Sequence, residues 1–207
     1  MTPTDEPLQA LVFDVGGVIV PHDNEALYAR LAARCSAPDA LDLIRAGSLD
    51  DQRYGTGELG VPALHQHLVD ELGYNGDWDV FARQWSSHLS IDDAMLGLVE
   101  QLARHYRVIL FSNTNQVHWA QVDRLSHGRL RGLEAYLSHQ IGAVKPHPHA
   151  FALVAACAGV EPGRSLFIDD RMDNVAAARR AGYQAEQFTD QATLEALLRG
   201  RGVRWTS

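Results

Sequence analysis

From about residue 92 the sequence alternates between two hydrophobic periods, and no other feature restricts its folding as much. MLGLVEQLARHY is amphipathic, RVILFSN is an apolar run, and QVHWAQVDRLSHG is polar and helix-like. The short apolar AYLSHQIGA, helix-like HAFALVAACAGV, SLFIDD, NVAAARRAGY, strand-like YQAEQF and helix-like ATLEALLRG continue the alternation. Short β-rich runs separated by helical stretches of about 10–15 residues predict βαβ units and a parallel sheet. The runs at 9–14, 107–112 and 165–169 are almost wholly apolar, as strands covered on both faces must be. The pattern therefore predicts an α/β fold with a doubly wound, Rossmann-like parallel sheet.

Residues 20–90 follow a different rule. NEALYARLAARC, PDALDLIRAG, VPALHQHLVDELG and WDVFARQWSSHL have helical spacing, punctuated by Gly55, Gly57, Gly60, Gly73 and Gly76. Nothing between them has a strand's alternation. The expected organisation is a core of residues 1–19 plus 91–207, interrupted by an all-helical cap over 20–90. No internal repeat or low-complexity segment is present.

Composition narrows the classes of function. A formal charge of −8 without a basic patch argues against a nucleic-acid binder. The arginines at Arg179–Arg180 and Arg199–Arg204 fit helix ends and a solvated tail. No apolar run approaches the ~18–20 residues that span a membrane. The start, MTPTDEPLQA, has two acids and no basic n-region, unlike a signal peptide. A cytoplasmic protein is expected, with Cys35 and Cys157 as free thiols in helices.

In an open parallel sheet, ligands bind beyond the carboxyl ends of the strands. The first apolar run ends in Asp14, followed by Gly16 and Gly17. The second ends in Ser112 and Asn113, and Lys145 comes after the third, with Pro146 placed to start the next helix. The fourth ends in Asp169 and Asp170, with Asp173 and Asn174 just beyond. Phosphoryl transfer suits this set. The acids offer hard oxygen ligands for Mg²⁺, without which at least one would be driven to protonate. The cation neutralises an incoming phosphate, Lys145 adds positive charge, and the Ser112 hydroxyl can donate to phosphate. Gly16 and Gly17 let the backbone curl its N–H groups toward the anion. Asp14 can then attack phosphorus, forming an aspartyl-phosphate that water cleaves.

FDVGGV, LFSNTN, GAVKP and FIDDRMDN, in this order and spacing, resemble the four motifs of the haloacid dehalogenase-like hydrolase superfamily. The likeness spans the chain, places a helical cap after the first motif, and extends to YGTGELG, similar to a turn in such caps. The nearest branch resembles the small bacterial phosphatases of sugar phosphates, some acting on glucose 1-phosphate. The resemblance implies Asp14 as nucleophile and metal ligand, with the Gly16 carbonyl also on Mg²⁺. It implies Ser112 on phosphate with Asn113 beside it, and Lys145 balancing charge. Asp170 would be the chief acidic ligand, Asp169 a nearer or water-mediated one, and Asn174 would hold the loop in shape.

One departure stands out. Most phosphatases of that family carry an acid–base aspartate two residues after the nucleophile, where this chain has Gly16. His22, Asp23 or a water is expected to take the role. GTGELG at 55–60 fits a nucleotide-loop pattern but follows no strand. His65 with His67, and His147 with His149, hint at zinc but diverge on a helix and are expected to face solvent. Trp78 and Trp85 are expected to pack the cap. The resulting expectation is an Mg²⁺-dependent phosphatase of a small phosphate ester, monomeric or homodimeric. The alternatives are a metal-independent 2-haloacid dehalogenase, against which Asp169 and Asp170 argue, or a catalytically weak phosphate-binding protein.

Overall fold

In the computed structural model, which describes residues 8–49 and 52–205, the first apolar run becomes β1 (Ala10–Phe13). Helices α1 (Asn24–Ala32), α2 (Ala40–Leu43), α3 (Gln52–Thr56), α4 (Val61–Leu72) and α5 (Trp78–Trp85) follow. The chain then alternates through α6 (Asp93–Ala103), β2 (Val108–Ser112), α7 (Gln116–Leu125), β3 (Glu134–Leu137), α8 (Ser138–Ile141) and α9 (Pro148–Ala158). It ends with β4 (Ser165–Asp169), α10 (Met172–Arg180), β5 (Gln184–Gln187) and α11 (Gln191–Gly200).

The five strands are parallel in the order β3-β2-β1-β4-β5, the expected doubly wound sheet. Period-two alternation divides their side chains between two layers. Leu11, Phe13, Leu110, Leu166 and Ile168 pack with Met95 and Leu96 of α6 and Leu194 and Leu198 of α11. Val12, Ile109, Phe111 and Phe167 face Phe151 and Val154 of α9 and Val175 and Ala178 of α10. Each such fully buried side chain contributes roughly 1.5–3 kcal/mol, so the strand ends are held by a stiff scaffold. A third cluster joins Leu27 and Leu31 of α1, Leu64, Leu68 and Leu72 of α4, and Phe81 and Trp85 of α5. The backbone bridge His22–Leu89 ties the two crossings between these helices and the sheet, and Gly16–Val20 closes the loop after β1.

Local departures from expectation have local causes. The YGTGELG segment is not merely a turn: Gln52–Thr56 form α3, which rests on α8. A Cβ at Gly57 (φ +78°) would lie 2.3 Å from the His139 carbonyl oxygen, so only glycine permits this approach. The third strand stops at Leu137, because Ser138–Ile141 coil into α8 and Gly142 (φ 69°) ends it. Pro148, not Pro146, opens α9, with His147 as its N-cap. His65 and His67 are half-buried rather than exposed, and the His65 ring stacks on Phe81 at 5.0 Å while its Nε2–H donates to the Gly76 carbonyl. His147 and His149 are exposed. Both cysteines are free, though Cys35 lies past α1 rather than within it. Among the described residues, no helix is long and apolar enough to cross a membrane.

Candidate active site

Adjacent strands β1 and β4 place Asp14 and Asp169 side by side at the sheet's carboxyl edge. Lys145 does not come from a strand end. It sits on the loop between α8 and α9, which Asn113 clamps to the end of β2: Asn113 Nδ2 donates to the Lys145 carbonyl (2.7 Å), and the Lys145 N–H donates to Asn113 Oδ1 (2.9 Å). Lys145 Nζ then donates to Asp14 Oδ1 (2.9 Å), Asp169 Oδ2 (2.7 Å) and the Phe111 carbonyl (2.9 Å). An ammonium has three N–H donors, so all are used. The cation also lies over the Phe111 and Phe167 rings, 5.2 and 5.3 Å from their centroids. Its side chain is only 1% exposed and that of Asp169 is 0%, so neither charge tolerates loss of its partner.

Asp169 is saturated. Beyond Lys145, it accepts from the Arg171 N–H (2.9 Å) and from Asn174 Nδ2 (3.0 Å to each oxygen). Asp14 Oδ1 accepts from Lys145 and from the Val15 N–H (2.6 Å), while its Oδ2 accepts from no described residue. Asp170 is half-buried next to Gly17, whose position leaves no room for a side chain: a Cβ there would meet Asp170 Oδ2 at 2.2 Å. Carboxylate oxygens of Asp14, Asp169 and Asp170 lie within 4.8 Å of one another. Against three acids stands one ammonium. Burial pushes the Asp14 carboxyl up to about 7, with Lys145 opposing and Asp169 adding to the rise. Burial, then Asp169, raises Asp170 as well.

A cleft of about 640 Å³ opens over this cluster. Asp14, Gly16, Asn113, Lys145, Asp170 and Asn174 form its floor, and Gln52, Tyr54, Val61, Leu64 and Trp85 line it from the helices of residues 52–85. Its side joins the two layers through His118 on α7. The Val117 and His118 N–H groups donate to Asn115 Oδ1, which turns the Asn115 amide nitrogen toward His118 Nδ1 (3.3 Å). Nδ1 therefore accepts, and Nε2–H donates to the Trp85 carbonyl (2.9 Å). The imidazole also stacks on the Trp85 indole at 5.0 Å. Burial holds His118 neutral, its pKa pushed down to about 3.

Most of the expected site residues converge here, with two exceptions. Ser112 borders a smaller adjoining cavity of about 190 Å³ rather than the main cleft. The Gly17 N–H donates to the Val20 carbonyl (3.0 Å), so it is not turned toward an anion as the sequence suggested. Trp85 packs among the helices as expected, but also faces the cleft. Asp23 is committed as the N-cap of α1, accepting from the Ala26 N–H (2.9 Å). Sequence reasoning did not single out His118, Asn115 or Arg171. The last follows the paired aspartates directly, and its ion pair with Asp173 (2.6 Å) spans only two residues, a signal that was legible.

A family model for haloacid dehalogenase-like hydrolases matches residues 8–182. The chain is 29% identical over 189 residues to the D-ribitol-5-phosphate phosphatase of Bacteroides thetaiotaomicron, covering 87% of this chain and 91% of that protein. Its fold is similar to the magnesium complex of a HAD family enzyme from Bacteroides thetaiotaomicron (TM-score 0.80, 23% identity, 92% of this chain and 99% of that one). It also resembles L-2-haloacid dehalogenase from Xanthobacter autotrophicus with chloropropionic acid covalently bound (TM-score 0.62, 17% identity, 95% and 84% covered).

Proposed function

The chain belongs to the haloacid dehalogenase-like hydrolase family, and from that premise we propose that it is an Mg²⁺-dependent phosphatase of a small sugar or polyol phosphate, acting through an aspartyl-phosphate on Asp14. The observation that carries this is the meeting of Asp14, Lys145, Asp169 and Asp170 at one sheet edge.

The residues present fit a small hard cation. Three carboxylates crowd one ammonium, and Asn174 Oδ1 is buried without a donor, an acceptor that a water of a hydrated ion would satisfy. Asp14 and Asp170 would hold the ion, helped by the Gly16 carbonyl, while Asp169, saturated by its partners, orients Lys145 and Asn174. When bound, Mg²⁺ neutralises phosphate charge and lowers the pKa of the acids.

The chain's own residues account for the remainder. Lys145 fixes Asp14 Oδ1, leaving Oδ2 to attack phosphorus in line. Asn113 keeps the lysine loop in place, and its neighbour Ser112 supplies a hydroxyl for the phosphate from the adjoining cavity. The helices of residues 24–85 serve as the cap, excluding water and selecting the alcohol through the cleft-facing Trp85 and Gln52. The named activity of the relative on D-ribitol 5-phosphate makes a linear polyol or pentose phosphate the first substrate to try. Halide displacement from carbon, by contrast, gives the acid cluster no task. The test is a panel of polyol, sugar and aryl phosphates with Mg²⁺, reading inorganic phosphate. Release is expected for at least one polyol or sugar phosphate and is abolished by chelator and in Asp14→Asn. Chloride release from a haloacid in chelator, without phosphate release, would overturn the proposal.

A further inference from the structure

Transfer of phosphorus from an alkyl ester to Asp14 expels an alkoxide, which leaves poorly unless protonated as the bond breaks. A placed acid contributes about 10²–10⁴ in rate to such a step. The groups already assembled around Asp14 have no proton to give. Lys145 holds all three of its N–H bonds on Asp14, Asp169 and Phe111. Arg171 does not release a proton at any physiological pH, and its guanidinium is paired with Asp173. Both ring nitrogens of His118 are engaged, by Trp85 and Asn115. Asp23 caps α1 and does not line the cleft.

One group remains. His22 borders the cleft with Asp14, Gly16 and Asp170. A Cβ built at Gly16 would have only two neighbours within 4 Å, His22 Cε1 and Nδ1, each at 3.9 Å. The imidazole thus stands over the space that a side chain at position 16 would enter. Its backbone is pinned by the bridge to Leu89 and by the Asp23 N–H, which donates to the His88 carbonyl (3.2 Å). The ring sits edge-on to His88, with centroids 6.4 Å apart. Among the described residues, none hydrogen-bonds to either ring nitrogen.

Resting on the phosphatase reading above, the geometry points to His22 as the catalytic acid for the departing alcohol. As the bond from Asp14 Oδ2 to phosphorus forms and the ester P–O bond breaks, the imidazolium gives its N–H proton to the ester oxygen. Water then attacks the aspartyl-phosphate at phosphorus, the neutral imidazole takes its proton, and Asp14 departs as carboxylate. Ester and water become alcohol and inorganic phosphate, and His22 returns to its starting state.

The test compares kcat/KM, which reports the steps up to alcohol release, for ribitol 5-phosphate and for 4-nitrophenyl phosphate, whose leaving group needs little acid. In His22→Gln, the loss on the alkyl ester is expected to exceed the loss on the aryl ester by about 10²-fold or more. In Asp23→Ala, the two losses are expected to match. Equal losses in His22→Gln, or a split that arises in Tyr54→Phe or Asp23→Ala instead, would overturn the assignment while leaving the phosphatase reading intact. Failure of the wild-type chain to hydrolyse any ester with Mg²⁺ would overturn both.

Discussion

Lys145 is where charge and fold are least separable. Its ammonium is shared by two buried carboxylates from neighbouring strands, so replacing it with methionine keeps much of the volume and strands both acids. Breaking a buried pair in this way costs about 3–5 kcal/mol. Urea denaturation in chelator is expected to show a loss of that size for Lys145→Met, together with loss of phosphate release; an unchanged midpoint would mean the acids are not ionised together. Asp14, Lys145 and the paired aspartates were legible in the sequence because each ends or follows an apolar run. Their distribution of labour was not. That Asp169 is saturated while Asp170 is open depends on Asn174 and Arg171 folding back over one carboxylate, and that the Gly17 N–H faces inward depends on the Val20 carbonyl. Single hydrogen bonds of this kind leave no periodicity to detect.

Among the elements, α3 and α7 each contribute to the wall of the cleft. α3 meets α8 with Gly57 against the His139 carbonyl and Gly55 3.1 Å, in Cβ terms, from Val144. Backbone cannot yield at 2.3 Å, and a positive φ adds about 1 kcal/mol of strain for alanine. Gly57→Ala is expected to lower stability by about 1–3 kcal/mol and to raise KM more than it lowers kcat; an unchanged KM would show that α3 does not shape the cleft. On α7, His118 is half-buried with its pKa pushed down to about 3, and His88 is held at about 4, both by desolvation first. Between the ordinary histidine value near 6.5 and those lower values, the unfolded chain binds protons that the folded chain does not. Stability is therefore fully present above about pH 6.5 and falls as pH drops through that window. Asp14, with a raised pKa, works in the opposite sense, losing its contribution as pH rises toward about 7. The readout is thus the difference between chains: His118→Phe is expected to flatten the acid-side slope of the urea midpoint, and an identical slope would contradict the burial. The alternating pattern of helix and strand was readable because each element buries a face. Short elements were not: α3 is set by the close approach at Gly57 and α8 by the left-handed Gly142 that ends it, rather than by any run of apolar residues.

At the scale of the molecule, the sheet supplies rigid strand ends and the intervening helices supply the wall that faces them, enclosing a cleft over an acid cluster in a chain of net charge −8. An acidic protein handles an anionic ester only if positive charge is concentrated at the point of contact, which Lys145 and a bound cation provide. The helical insert was legible as a break in period between residues 20 and 90, but which of its side chains face the cleft depends on how α3 and α5 pack against α8 and α7. The account stands on Asp14 forming a bond to phosphorus. Rapid quenching of the enzyme during turnover of ribitol 5-phosphate with Mg²⁺, followed by borohydride reduction and peptide mass mapping, reads that bond directly, since reduction converts an aspartyl-phosphate to homoserine. Homoserine is expected at position 14 alone, and only with substrate and Mg²⁺ both present. Steady phosphate release with aspartate intact at position 14, or homoserine at 169 or 170, would contradict it.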